Sequence, residues 1–200
     1  SNVGVAVFQV SGTATLARLT FTDNTGPSSV PYGGADINIY AAVATISDVV
    51  CTNSQGGSDD AADGGALVIM GGATAVVRDS TFRDAYASGF GGAVLVDSSV
   101  AEFIRTTFAH CECGLVGGGA SIKGESSVAF HQCAFNEDQG GNGAGALYFS
   151  SSVANITKSA FTSCLSSNFA GAMQCEGSSS LFLEGSEFSN NQAGSSAGDV

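Results

Sequence analysis

The sequence predicts an all-β fold, a parallel β-helix solenoid of about seven rungs of 26–27 residues, and three observations predict it. A small-residue marker recurs as Gly64-Gly65-Ala66, Gly91-Gly92-Ala93, Gly118-Gly119-Ala120, Gly145-Ala146 and Gly171-Ala172, with alanines 26 or 27 residues apart. A second column follows each marker by 15 or 16 residues: Phe21, Cys51, Phe82, Phe108, Phe135, Phe161 and Phe188. Between marker and column, apolar residues alternate with period two, which is the pattern of a strand rather than a helix. A unit of this size cannot bury one face alone, so a repeat with this period implies stacking of like units.

Along each rung the elements follow in order. The marker leads into a strand, and earlier copies of it are Gly33-Gly34-Ala35 and the degenerate Gly4-Val5. Small turn-formers such as Gly71-Gly72, Ser98-Ser99, Ser126-Ser127, Ser151-Ser152 and Ser178-Ser179 then make a corner. A second strand runs on to the Phe column. Its predicted inward residues are Ala14, Ala44, Ala75, Ala101, Val128, Ala154 and Leu181, then Leu16, Ile46, Val77, Phe103, Phe130, Ile156 and Leu183. Extra residues near 26–32 and 54–63 are read as loop insertions within one domain spanning residues 1–200. Stacked about 4.8 Å apart, equivalent strands pair in parallel and superpose their columns.

Composition narrows the partners. The 200 residues carry 6 Lys and Arg against 18 Asp and Glu, a net charge of −12. Contacts to nucleic-acid phosphates need cations, so a nucleic-acid partner is excluded, and an anionic membrane surface is disfavoured. No run of about 18 apolar residues provides a transmembrane helix, so no membrane insertion of this segment is expected. At 44% hydrophobic and 12% charged residues, the chain has the material for a core.

The Gly-Gly-Ala-aliphatic markers and the Phe-x-x-Asn segments Phe21-Thr22-Asp23-Asn24 and Phe188-Ser189-Asn190-Asn191 carry a resemblance. The chain resembles the polymorphic outer-membrane protein repeat of chlamydial surface proteins and similar algal and protist repeat proteins. Other rungs keep Phe and lose Asn, as in Phe82-Arg83-Asp84-Ala85 and Phe161-Thr162-Ser163-Cys164. The resemblance implies a right-handed solenoid at a cell surface or in secreted material, with adhesion as its usual role.

Candidate chemistry is sparse. The column Arg18, Asp48, Asp79, Arg105, Gln132 and Lys158 reads as one outward ladder that sets Asp48 beside Asp79. Paired carboxylates can serve a glycoside hydrolase, and a base beside a cation can serve a polysaccharide lyase. The same ladder also reads as charges offsetting one another on a solvated face, and that reading is preferred. His110 and His131 occupy non-equivalent positions and read as surface residues. Asp59, Asp60 and Asp63 read as a solvated acidic loop without the calcium-loop pattern.

Six cysteines allow fifteen pairings. Cys51 in the Phe column reads as a buried thiol, and Cys111 and Cys164 flank Asp138 in one corner column, too far apart to bridge. A single Cys-x-Cys pair, Cys111 and Cys113, makes no zinc set. Neither a cofactor nor a metal is predicted. Asn155-Ile156-Thr157 is a glycosylation sequon with Asn155 on an outward position.

On the marker strand, Leu67, Ile69, Val94, Val96, Leu147 and Phe149 are expected to face outward as an apolar partner-binding strip, unless the Gly-Gly pair shifts the alternation. The terminal rungs carry no Lys or Pro placed to block pairing. Further rungs or a protein partner are therefore expected at both ends, and residues 1–200 are not expected as an isolated monomer. The functional expectation is a non-enzymatic structural or adhesive scaffold in an extracellular assembly, with glycans as a further partner class. The alternative is a β-helix polysaccharide lyase or glycoside hydrolase using Asp48 and Asp79.

Overall fold

A computed structural model describes residues 8–10, 12–26, 34–56 and 62–194. Residues 27–33 and 57–61, which hold most of the first expected insertion and half of the second, including Asp59 and Asp60, lie outside the described residues. The described chain forms three seven-stranded parallel sheets and one five-stranded sheet, and contains no helix. The fold is a parallel β-helix.

Each rung gives one strand to each long sheet. The marker sheet runs Phe8–Val10, Ile37–Tyr40, Leu67–Met70, Val94–Asp97, Ala120–Lys123, Leu147–Ser150, Met173–Glu176. The second sheet runs from Thr13–Ala17 to Ser180–Glu184, the third from Thr20–Thr22 to Glu187–Ser189. The short sheet runs from Tyr86–Ala87 to Gln192–Ala193, and single bridges Thr25↔Gln55 and Gln55↔Tyr86 extend it.

The expected inward columns pair in register. Ala14, Ala44, Ala75, Ala101, Val128, Ala154 and Leu181 superpose, as do Phe21, Cys51, Phe82, Phe108, Phe135, Phe161 and Phe188. Neighbouring Phe rings stack, with centroids 5.4 Å apart for Phe82–Phe108, 4.6 Å for Phe108–Phe135 and 4.8 Å for Phe135–Phe161. Phe103 and Phe130 form a second stack at 5.0 Å and meet the first edge-on.

The second strand of the expected rung is in fact two. A single left-handed residue breaks it at Arg18, Asp48, Asp79, Arg105, Gln132, Lys158 and Gly185, all with φ of 47–58°. A second such column follows the Phe strands at Asp23, Asn53, Asp84, His110, Glu137, Ser163 and Asn190, with φ of 51–57°. For a non-glycine residue this conformation costs roughly 1–2 kcal/mol. It persists because the ladder runs through the corner: Arg18 N–H donates to Ser47 C=O at 3.0 Å, and Arg105 N–H to His131 C=O at 2.9 Å. The predicted outward charge ladder is thus a stack of corners, not a strand face.

Inside each corner sits the next residue of the chain, and these residues satisfy one another. Ala73 N–H donates to Ser99 Oγ, Ser99 N–H to Ser126 Oγ, and Cys133 N–H to Ser159 Oγ, each at 3.1 Å. In the Phe-x-x-Asn column, Cys164 N–H donates to Asn191 Oδ1 at 2.8 Å while Asn191 Nδ2 donates to Phe161 C=O at 3.0 Å. The motif asparagine is an interior corner cap.

The marker register departs from the sequence expectation in three rungs, the first because Phe8 pairs with Ile37. Val94 pairs with Ala120 and Ile37 with Leu67, so Gly119 and Asp36, not Ala120 and Ala35, occupy the alanine column. The marker also bulges in slipped and unslipped rungs alike. Ala66 and Leu67 N–H both donate to Ala93 C=O, at 2.9 and 3.0 Å, and Ala146 and Leu147 N–H both donate to Ala172 C=O at 3.0 Å. Two successive amides pointing at one acceptor form a bulge, which turns two successive side chains to the same side. Gly65, Gly92, Gly118 and Gly145 sit where an added Cβ would strike the carbonyl of the equivalent residue in the next rung.

Candidate functional site

That bulge overturns the expected partner strip. Leu67, Ile69, Val94, Val96, Leu147 and Phe149 point inward and are wholly or almost wholly buried in the hydrophobic core. The residues between them, Val68, Leu95, Ser121 and Tyr148, face outward yet are buried too. The chain covers them with the segment that precedes each marker. Ser121 Oγ donates to Val116 C=O at 2.6 Å, and the Phe90 ring lies 6.3 Å from that of Tyr148.

A cluster of polar side chains lies where this cover meets the marker sheet. Lys123 and Asp97 are register partners on adjacent strands. Lys123 Nζ lies 3.1 Å from Asp63 Oδ2, 3.9 Å from Asp97 Oδ2 and 4.6 Å from the Phe90 ring centre. Asp63 is buried, which corrects its reading as part of a solvated loop, and Phe90 N–H donates to its Oδ1 at 2.8 Å. Burial pushes the Asp63 carboxyl up, against the opposing pull of the Phe90 amide and Lys123. Beside it, Tyr148 Oη donates to Glu176 Oε2 at 2.8 Å, and Gln174 Nε2 to Glu176 Oε1 at 2.6 Å. Setting Ala120 against Ala93 places Gly124, not Lys123, opposite Asp97, so the one-residue slip hid this cluster. The correct register would have shown two opposite charges in adjacent rungs.

Asp79, His110 and His131 are engaged within the rod, while Asp48 is exposed in the same corner column as Asp79. Asp79 receives Arg105 Nε at 2.6 Å and Nη2 at 2.8 Å, and this pairing holds its carboxyl below the ordinary range. His110 reaches Glu137 at 3.3 Å and Asp84 at 3.8 Å along its corner column, and His131 Nδ1 lies 2.7 Å from Thr157 Oγ1. Asn155 is exposed on the strand Val153–Thr157, as its outward position requires.

Asp36 takes the alanine position in the rung where Cys51 replaces Phe. The smaller thiol leaves room for the carboxyl, which accepts Asn24 Nδ2 at 2.7 Å and Ser54 Oγ at 2.5 Å. Its burial raises the carboxyl, with Cys51 among its partners. All six cysteines are free thiols, and five are buried. Burial pushes Cys113 and Cys164 up to about 12 and Cys133 to about 11, so they are poor nucleophiles. Among the described residues no group of three or more His, Cys, Asp or Glu is placed to hold a metal ion.

No family model matches the chain, and neither the curated proteins nor the solved structures contain a match to it.

Proposed function

We propose that this chain is a non-enzymatic structural or adhesive segment, a rigid scaffold of a cell-surface or secreted assembly. The observation that supports this reading most strongly is that its reactive side chains serve the rod itself. Asp79 is clamped by Arg105, Asp63 by Lys123 and Phe90, Asp36 by Asn24 and Ser54, and the buried thiols are held protonated. A general acid needs a carboxyl that keeps its proton near neutrality. Asp79 is shifted the opposite way, which weighs against the hydrolase reading, and Arg105 occupies both oxygens that a lyase would use as its base.

The resemblance to polymorphic outer-membrane protein repeats supports the extracellular placement, and exposed Asn155 offers a glycan attachment point. The partner surface is the uncovered layer at Ser180–Ser189, where Leu183 is 38% exposed while Ile156, its partner one rung before, is 0% exposed. Further rungs or a protein partner cover that layer. Two measurements test the reading together: sedimentation of the chain over a range of concentrations, and product release from a panel of acidic polysaccharides. Self-association without turnover is expected. Turnover abolished by Asp48→Ala or Asp79→Ala overturns it.

A further inference from the structure

Lys123 ends the strand Ala120–Lys123 on the outward side, where a lysine ordinarily runs into water. Here its side chain is 21% exposed and folds back under the cover segment, against a carboxylate that is 5% exposed. Phe90 shields the pair from one side and donates its amide to Asp63 Oδ1 at 2.8 Å, while Asp97 stands 3.9 Å from Nζ on the other. One amine, two carboxylic groups and an aromatic wall thus converge in a place partly closed to water.

An ammonium and a carboxylate do not react with each other, and the reactive pair arises when a proton on Nζ passes to the Asp63 oxygen to which it already donates. The neutral amine is a nucleophile and the neutral acid is its electrophile. In water both groups are ionised and the solvent drives the condensation backward. Partial burial limits the water available for the reverse step, and contact at 3.1 Å replaces a bimolecular encounter with an intramolecular one.

We propose that Lys123 Nζ and Asp63 Cγ join in an intramolecular amide bond, with Asp97 carrying the proton. The Nζ lone pair attacks Cγ, and the negative charge that develops on Oδ1 is held by the Phe90 N–H. Asp97 takes one proton from Nζ and delivers it to the protonated Oδ2. The Cγ–Oδ2 bond breaks, water leaves with both protons, and the carbonyl reforms. Asp97 returns to its carboxylate, one hydrogen stays on the amide nitrogen, and no oxidant or cofactor is required. The bond ties the cover segment before Leu67–Met70 to a strand two places further along the marker sheet, and closes a loop between residues 60 positions apart. It staples three rungs on the face where the cover is otherwise held by packing and single hydrogen bonds.

The test is the mass of the full chain under denaturing, reducing conditions, followed by sequencing of its proteolytic fragments. The expected result is a chain lighter by one water molecule, with a branched peptide joining residues 63 and 123. Asp63-Gly64 can also lose water by closing a succinimide on its own backbone, so Lys123→Arg is the deciding variant. The amide requires that this variant regain full mass. Asp63→Asn is expected to lose ammonia in place of water, and Asp97→Ala to remain largely uncrosslinked although both reacting groups are present. A wild-type chain at full mass, or a water loss that persists in Lys123→Arg, overturns the proposal. Undiminished cross-linking in Asp97→Ala overturns the role given to Asp97.

Discussion

Asp138 shows what one atom costs in an interior corner. It occupies the Phe-x-x-Asn column between Cys111 and Cys164, is wholly buried, and accepts Cys111 N–H through Oδ1 at 2.9 Å. It therefore reproduces the accepting half of Asn191. The donating half is missing, because Oδ2 has no hydrogen-bond partner among the described residues. Burial holds the carboxyl well above its ordinary 3.8. A raised folded pKa contributes stability that is fully present below the unfolded value and lost as pH rises through the folded one. Asp138→Asn restores the donor and removes the titration. Urea unfolding is therefore expected to show a variant more stable than wild type by about 1–3 kcal/mol at about pH 8, with the advantage shrinking toward about pH 4. A variant weakened at about pH 8 would show that the carboxyl has a partner the geometry lacks.

At the scale of the element, columns rather than single strands are the unit of stability. Phe108 lies between Phe82 and Phe135 and is 0% exposed, whereas Phe188 stacks on Phe161 at a similar 4.7 Å but is only partly buried. Phe108 stacks on two rings and Phe188 on one, and burial differs in the same direction. Phe108→Ala is expected to cost about 3–5 kcal/mol and Phe188→Ala about 1 kcal/mol, read as shifts in the unfolding midpoint. Equal costs would mean that neither burial nor the second stacked ring sets the cost of a column residue. This column was legible in the sequence because packing demands one side-chain type there. The same holds for Ala44, Ala75, Ala101 and Ala154. The left-handed corners were not legible, since Arg18, Asp48, Gln132 and Lys158 share a backbone angle and no side-chain chemistry. The Lys123 cluster was lost for a related reason: a two-residue bulge at the marker shifts the alternation, and small residues on both sides of it allow the register to slide. Glycine patterns announce close backbone approach without saying which glycine makes it.

At the scale of the molecule, each layer is held only by its neighbours, so stability adds up from layers and the interfaces between them. The amides that enter the second sheet make a clean comparison, because all donate alike to the preceding rung. Val100 N–H reaches Ala73 C=O at 2.9 Å, Ser127 reaches Ser99 at 3.0 Å, Val153 reaches Ser126 at 2.8 Å and Ser180 reaches Ser152 at 2.9 Å. Their hydrogen bonds are equivalent, but their surroundings are not. Phe149 is 1% exposed, while its register partner Cys175 is exposed, and Leu181 and Phe188 are only partly buried. Each large apolar side chain contributes about 1.5–3 kcal/mol when fully buried. A layer covered on one side forfeits a good part of that and opens without the rest of the rod. Hydrogen exchange is therefore expected to run about 100-fold faster at Ser180 than at Ser127, with Val153 between them. A ligand or further rung stacked on Leu183 and Phe188 should protect Ser180 first and leave Ser127 unchanged, since binding stabilises the layer it touches. Uniform exchange at all four amides would show that the rod opens as one unit, and that the last described layer is not the place where it is completed.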